Sequence, residues 1–242
     1  MSKRVQQIIV AASLLYDFGY RFVPRQILTK SDEEMTQMDY DTIQTNLERG
    51  LGYMYMYNTG FDFMKKAVTL IEYYIYSTSP DKGVKRPDPS ILTLMGILKI
   101  ADHFDQKTGM NINHEPESEI KAMQYLEEHT EDFDQEVVEA LAQCIHIVPT
   151  GASVDLNTKD KAIVLVENAE NYMEPLILRL SNNMLYDLSD PTIRRHVQIV
   201  DIMKTMDNRV EIDEETLKHF TSDANIRETA ERFKRRKREM GA

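Results

Sequence analysis

The side chains able to do chemistry fall into a few groups. Tyrosines gather in GYMYMYN (52–58) and EYYIYS (72–77). Phenol rings so placed either line a pocket that stacks bases or fill a helical core. Lys82, Lys85 and Arg86 lie in TSPDKGVKRPDP (78–89), a stretch broken by prolines and a glycine, hence a loop. Such cations would welcome a ligand with two phosphates, and are equally ordinary on a solvated loop. The segment RFKRRKREM carries Arg232, Lys234, Arg235, Arg236, Lys237 and Arg238, which could dock on an acidic partner, RNA or lipid headgroups. With only Phe233 and Met240 opposite the charges it is a poor membrane helix, and the expected state of such a tail is a solvated, partly disordered helix. The lone Cys144 excludes a disulfide framework and a cysteine zinc site, and fits a reducing compartment. His103, His114, His129, His146, His196 and His219 are scattered and read as surface or satisfied histidines.

These groups sit on a chain of 242 residues, 42% hydrophobic and 29% charged, with a net charge of −11. That composition excludes a disordered chain and supports a real core. The acidity argues against broad nucleic-acid binding. Residues 225–242 carry +4, which leaves −15 on the rest. No apolar run reaches the roughly 18 residues of a membrane helix. The N-terminal apolar stretch is interrupted by Gln6 and Gln7, and Tyr16-Asp17 replace a small-residue cleavage site, so it reads as an amphipathic helix of a cytoplasmic protein.

Apolar spacing predicts helices over Val5 to Leu15, Tyr40 to Tyr57, Phe61 to Tyr76 and Pro89 to Lys107. Two more are predicted over 116–128 and 134–146, the second capped by Asp134. The period then shifts toward two. Ala152 to Leu156, Ala162 to Glu167 and Leu176 to Leu180 read as short strands. Ser189-Asp190-Pro191 starts a helix, 197–204 is ambiguous, and Asp213 to Phe220 reads as a short helix.

An ordered series of partial motifs resembles the HD-GYP family. LLYDFGYRFVPRQILTK (14–30) is similar to the family's L-H-D-I-G-K…V-P…I-L-x-K, with Asp17, Gly19, Val23, Pro24, Ile27, Leu28 and Lys30 matching. YDTIQTNLERG (40–50) resembles its Y-E-I-I-K-x-H-P-x-x-G, and ILKIADHFDQKTG (97–109) its I-L-x-V-A-D-x-F-D-A-L-T. IEYYIY (71–76) falls on the segment with two adjacent histidines, and the naming G-Y-P falls on Asp81-Lys82-Gly83. FDQEVVEAL (133–141) and VPTGASVDL (148–156) extend the likeness across most of residues 4–180.

The resemblance implies a mainly α fold. An HD-domain-like helical bundle, N-terminally truncated, would span 1–147, a small β-extension 148–212, and a C-terminal helical region with the basic tail 213–242. Active members open cyclic di-GMP with an iron or manganese cluster that activates water. The positions implied for metal ligands are here Tyr16, Asp17, Asn46, Tyr73, Tyr74 and Asp102. Only the aspartates are good ligands at neutral pH, since a phenol titrates near ~10. The resemblance therefore implies no cofactor, or at most one weakly bound divalent ion on Asp17 and Asp102. Each aspartate could instead cap a helix or hydrogen-bond to a tyrosine standing where a ligand was lost.

Three functions remain open on the sequence. One is a catalytically inactive signalling or scaffolding module acting through a protein partner. The second is a cyclic di-GMP sensor using Lys82, Lys85 and Arg86. The third is a residual metal-dependent phosphohydrolase.

Overall fold

The computed structural model describes residues 1–57, 60–77, 88–110 and 115–202, together with 226, 228–229, 231–233 and 235. These divide into two compact units, one of residues 1–116 and 130–137, the other of 117–129 and 138–242. The expected helix at 213–220 and the loop at 78–87 lie outside the described residues.

The first unit is helical. Its elements are α1 (Lys3–Ser13), a 3-10 turn at Phe18–Phe22, α2 (Arg25–Leu28), a second 3-10 turn at Asp32–Glu34, α3 (Gln37–Met56), α4 (Asp62–Ser77) and α5 (Pro89–Thr108). Helix α4 shows why these segments coil. Ala67, Val68, Leu70, Ile71, Tyr74 and Ile75 are its buried residues, a stripe at helical spacing. That stripe joins Ile8 and Ala12 of α1 and Leu51 of α3 in one apolar core, with Ile91, Leu94 and Met95 of α5 packed against it. Helix α5 starts where the sequence predicts, with Pro89 in its first turn and the Asp88 carboxylate accepting from Ser90 N at 2.9 Å.

Helix α3 begins three residues earlier than the apolar pattern predicts, because Thr36 and Asp39 form a capping box. The Asp39 carboxylate accepts from Thr36 N at 2.9 Å, Thr36 Oγ1 at 2.6 Å and Lys30 Nζ at 2.6 Å. These donors hold its pKa down from 3.8 to about 2, Lys30 being the main cause.

Glycine in a helix interior is locally unfavourable. Gly50 is there because the 3-10 turn containing Gly19 crosses α3 at backbone contact. A Cβ at Gly19 would lie 2.4 Å from Leu47 Cα, and one at Gly50 would lie 2.7 Å from Gly19 Cα. Gly52 has open space around it.

The second unit holds α6 (Glu119–Glu128), most of α7 (Gln135–Cys144), β1 (Ser153–Leu156), β2 (Lys161–Val166), β3 (Leu176–Arg179), β4 (Met184–Asp187), α8 (Pro191–Arg194) and β5 (Ile199–Ile202). Asp134 caps α7 through Glu136 N at 3.0 Å, and Asp190 caps α8 through Thr192 N at 2.8 Å, both as predicted. The strands form one antiparallel sheet in the order β4-β3-β2-β1-β5. Helix α6 packs against β5, where Lys121 Nζ reaches Asp201 at 3.1 Å. Its residues Ile120, Ala122, Met123 and Leu126 are buried.

The mainly α, HD-domain-like fold is thereby corrected. A five-stranded antiparallel sheet organises the second unit, so the chain is mixed α and β. Strand β4 escaped the sequence reading and β5 resolves the ambiguous 197–204 stretch; β4 has one buried side chain and β5 two, too few for a clear alternation. Pairing with β3 and β1 makes them strands, which local pattern cannot reveal.

Two outcomes test the first unit. Gly19→Ala or Gly50→Ala should lower stability by about 3 kcal/mol through overpacking, whereas Gly52→Ala should raise it by about 1 kcal/mol, read from urea unfolding. Because the Asp39 pKa is depressed, its contribution is complete above the unfolded value and is lost as pH falls from about 4 to about 2. The fall in urea midpoint over that window should shrink in Asp39→Asn.

Candidate functional site

The first unit encloses a cleft of about 540 Å³ lined by Tyr16, Asp17, Tyr20, Tyr40, Tyr74, Asp102, Asp105 and Gln106, with Asp32 and a set of apolar side chains. Each wall follows from the local fold. Tyr16 comes just after α1, its N–H bonded to Ala12 O at 2.9 Å. Tyr74 continues the buried stripe of α4. Asp102 lies on the buried side of α5, and Gln106 is one turn on, the i, i+4 spacing that lets helical side chains meet.

The centre of the cleft is the carboxylate of Asp102, only 7% exposed. Tyr16 Oη donates to its Oδ1 at 2.6 Å. Tyr74 Oη donates to Oδ2, and Gln106 Nε2 donates to the same oxygen at 2.9 Å. The two rings meet edge to face at 5.6 Å and 85°. Burial, and then the Asp102 carboxylate beside them, push both phenols well above the ordinary tyrosine value. Burial followed by the charges of Asp102 and Asp17 raises Tyr20 as well. Tyr16 and Tyr74 stay protonated at neutral pH and act as donors.

Of the six positions implied for metal ligands, the cleft gathers Tyr16, Asp17, Tyr74 and Asp102. It does not gather Tyr73 or Asn46. Tyr73 is one residue, about 100° of helix rotation, off the buried stripe of α4. Asn46 turns its amide to its own helix, donating to Thr42 O at 2.8 Å. Asp17 stands at the start of the Phe18–Phe22 turn with an exposed side chain that makes no capping bond. The donor set does not fit a metal cluster. Protonated phenols offer no anionic oxygen, and three donors occupy the one buried carboxylate. Among the described residues no group of three or more His, Cys, Asp and Glu is placed to hold an ion.

Of the tyrosines in 52–58, Tyr55 donates to Glu72, while Tyr53 and Tyr57 do a different job. Tyr53 stacks on Phe22 at 5.4 Å and on Tyr57 at 6.3 Å, and the Arg49 guanidinium lies 4.7 Å over Phe22. They border a separate apolar groove of about 230 Å³ with Leu15, Phe18, Met54, Met64 and Val68. Three histidines have close partners: His103 Nδ1 lies 3.0 Å from Lys99 O, His129 Nδ1 lies 2.8 Å from Tyr125 O, and His146 Nδ1 lies 2.7 Å from Glu167.

The basic loop residues Lys82, Lys85 and Arg86 lie outside the described residues, as do Lys234, Arg236, Lys237 and Arg238 of the tail and His114 and His219. Arg232 and Arg235 are helical and exposed, and Arg232 pairs with Glu228 at 2.6 Å. Phe233 between them is 2% exposed, so the segment is anchored at that residue rather than solvated all round. The sequence reading missed Gln106, Tyr20, Tyr40, Asp32 and Asp105. The i, i+4 relation of Gln106 to Asp102 was a usable signal; the others meet only through tertiary packing.

No family model, curated protein or solved structure matches this chain.

Each phenol bond to Asp102 can be cut separately. Tyr16→Phe and Tyr74→Phe should each cost about 1–3 kcal/mol, as expected for hydrogen bonds to a buried charged group. In a double-mutant cycle the losses should not add, because both donors serve one carboxylate.

Proposed function

We propose that this chain is a non-catalytic regulatory or scaffolding module that works by contact with a protein partner, in a cytoplasmic signalling setting. The observation that carries the reading is the closure of Asp102. In the register of the HD-GYP resemblance, Tyr16 and Tyr74 take imidazole positions. Their hydroxyls spend the carboxylate that would otherwise serve a metal. Metal-activated water is the nucleophile of that family, and the described residues lining the cleft supply no replacement for it.

Two further features support contact as the mode of action. Leu14, Tyr57 and Phe61 are 73%, 72% and 61% exposed, on or beside the segments bordering the apolar groove. Exposed large apolar side chains, with Tyr57 at the groove itself, fit a partner surface. No helix among the described residues is long and apolar enough to cross a membrane, so a lipid-buried role for these side chains has no helical span to support it. The alternative of a cyclic di-GMP sensor is less favoured by the cleft walls. Asp17, Asp32, Asp102 and Asp105 would face two phosphates, and no lysine or arginine is among the described lining residues.

Metal analysis tests the proposal. Purified protein should carry less than one tightly bound iron or manganese ion per chain, and added Mn²⁺ should produce no hydrolysis of cyclic di-GMP. Two or more tightly bound ions per chain, or turnover abolished by Asp102→Ala, would overturn it.

A further inference from the structure

We propose that the apolar groove bounded by Leu15, Tyr53, Tyr57 and Met64 receives a single aromatic side chain, an indole above all, carried on an acidic segment of a partner protein. The inference rests on the reading of the chain as a contact module, and it deepens that reading by naming the groove and the chemistry of what enters it.

Three observations carry it. The first is size. At about 230 Å³ the groove is smaller than the roughly 300–1,000 Å³ of small-molecule sites, yet larger than the roughly 150 Å³ apolar cavity that holds one benzene. That leaves room for one ring system and little else. The second is the surface offered. Arg49, Tyr53 and Tyr57 are spaced by four on α3 and so share a face. Phe22 and Tyr53 stack at 5.4 Å and 29°, and Tyr53 and Tyr57 at 6.3 Å and 14°. The Arg49 guanidinium closes one end of this ladder, 4.7 Å over Phe22 and 5.9 Å over Tyr53. The other end is Tyr57, at the groove and 72% exposed, where a flat ring can extend the stack. The thioethers of Met54 and Met64 line the same groove and suit contact with a ring. The third is charge. No charged side chain is among the described lining residues, so an ionised group finds no partner inside. Two cations stand beside it: Arg49 on the ladder, and Lys65 between Met64 and Val68 on α4. Both are exposed and make no ion pair among the described residues. The carboxylates on this part of α4 are engaged, Asp62 by Arg4 and Lys66, and Glu72 by the Tyr55 hydroxyl.

Aromatic anchors in small apolar pockets carry much of the binding energy at protein interfaces, and Trp is foremost among them. Bound here, an indole lies on the Tyr57 ring and covers its apolar body with Leu15, Met64 and Val68. Acidic residues on either side of the anchor then reach Arg49 and Lys65. Such rim pairs guide approach and choose the partner, while the buried ring supplies most of the affinity. A free small molecule is a poorer match, because a groove of this volume cannot cover a drug-sized ligand.

The chain has no tryptophan, so the indole emission of a peptide, excited beyond the tyrosine band, reports binding without background. The probe is an acetylated and amidated peptide of sequence EDAWAED, titrated with the full chain at physiological salt. A saturable, one-to-one blue shift and rise in anisotropy are expected. Tyr57→Ala should weaken binding about tenfold, through the lost ring contact. Arg49→Glu and Lys65→Glu should each weaken it about 3- to 10-fold, as for exposed ion pairs, and should favour the basic peptide KKAWAKK instead. The peptide with leucine in place of tryptophan should compete at least tenfold less well. Met38→Ala, at a residue 79% exposed and outside the groove lining, should leave binding unchanged. Thermal melts of each variant check folding. Absence of a saturable shift, or equal affinities in wild type and Tyr57→Ala, overturns the proposal. So does N-acetyltryptophanamide binding as tightly as the acidic peptide, which would make the groove a small-molecule site. A dimer in sedimentation that Tyr57→Ala dissociates, and that excludes the peptide, overturns it in favour of a second copy as the occupant. Two or more tightly bound iron or manganese ions per chain overturn the contact reading itself, whereas metal-free protein that ignores the peptide overturns only this inference.

Discussion

A carboxylate taken out of water must find donors where it lands, because an unsatisfied buried charge costs several kcal/mol. Asp102, like Asp39, is such a group in the first unit, and it lies at the centre of the cleft. Its two oxygens require Tyr16 after α1, Tyr74 on α4 and Gln106 on α5 to converge. Three segments far apart in the chain are therefore tied at one point. The same convergence fixes the chemistry. Phenols beside a buried negative charge hold their protons more firmly, which makes them good donors and poor metal ligands.

The cleft around Asp102 exists because a second constraint sets the spacing of its walls. Gly19 and Gly50 let the Phe18–Phe22 turn lie against α3 at backbone contact. Tyr16, Asp17 and Tyr20 flank Gly19 in the chain, and Tyr40, Ile43 and Leu47 precede Gly50 on α3. The glycine contact thus positions two walls of the cleft at once. Helix α3 is pinned at its other end by Asp39, with Thr36 and Lys30 supplying the donors. A helix held at its start and again around Leu47 and Gly50 presents the cleft-facing side chains between them in a defined register.

The second unit obeys a different rule. Its β2 and β3 are buried along most of their length, so they read as apolar runs in the sequence. Strands β4 and β5 are at the edges, where one face meets solvent and the apolar signal thins. Both strands whose sequence signal was weak or absent lie at the edges of the sheet.

Sequence alone determined helices α1, α3, α4 and α5 of the first unit, the cap at Asp134, the helix start at Asp190, and three of five strands. Each depends on local periodicity or on a side chain within a few residues of the group it serves. It also singled out Tyr16, Asp17, Tyr74 and Asp102, and left open whether the aspartates serve a metal or a tyrosine. Tertiary structure supplies the tyrosine donors of Asp102, which lie 86 and 28 residues away in the chain. It also separated Tyr74 from Tyr73: adjacent residues point to different sides of a helix, and only the packing of α4 says which side is inside. The aspartates and tyrosines of the cleft rim are likewise ordinary surface residues in sequence. They become one surface only because two glycines let a turn cross a helix, a contact between residues too far apart for any local pattern to report.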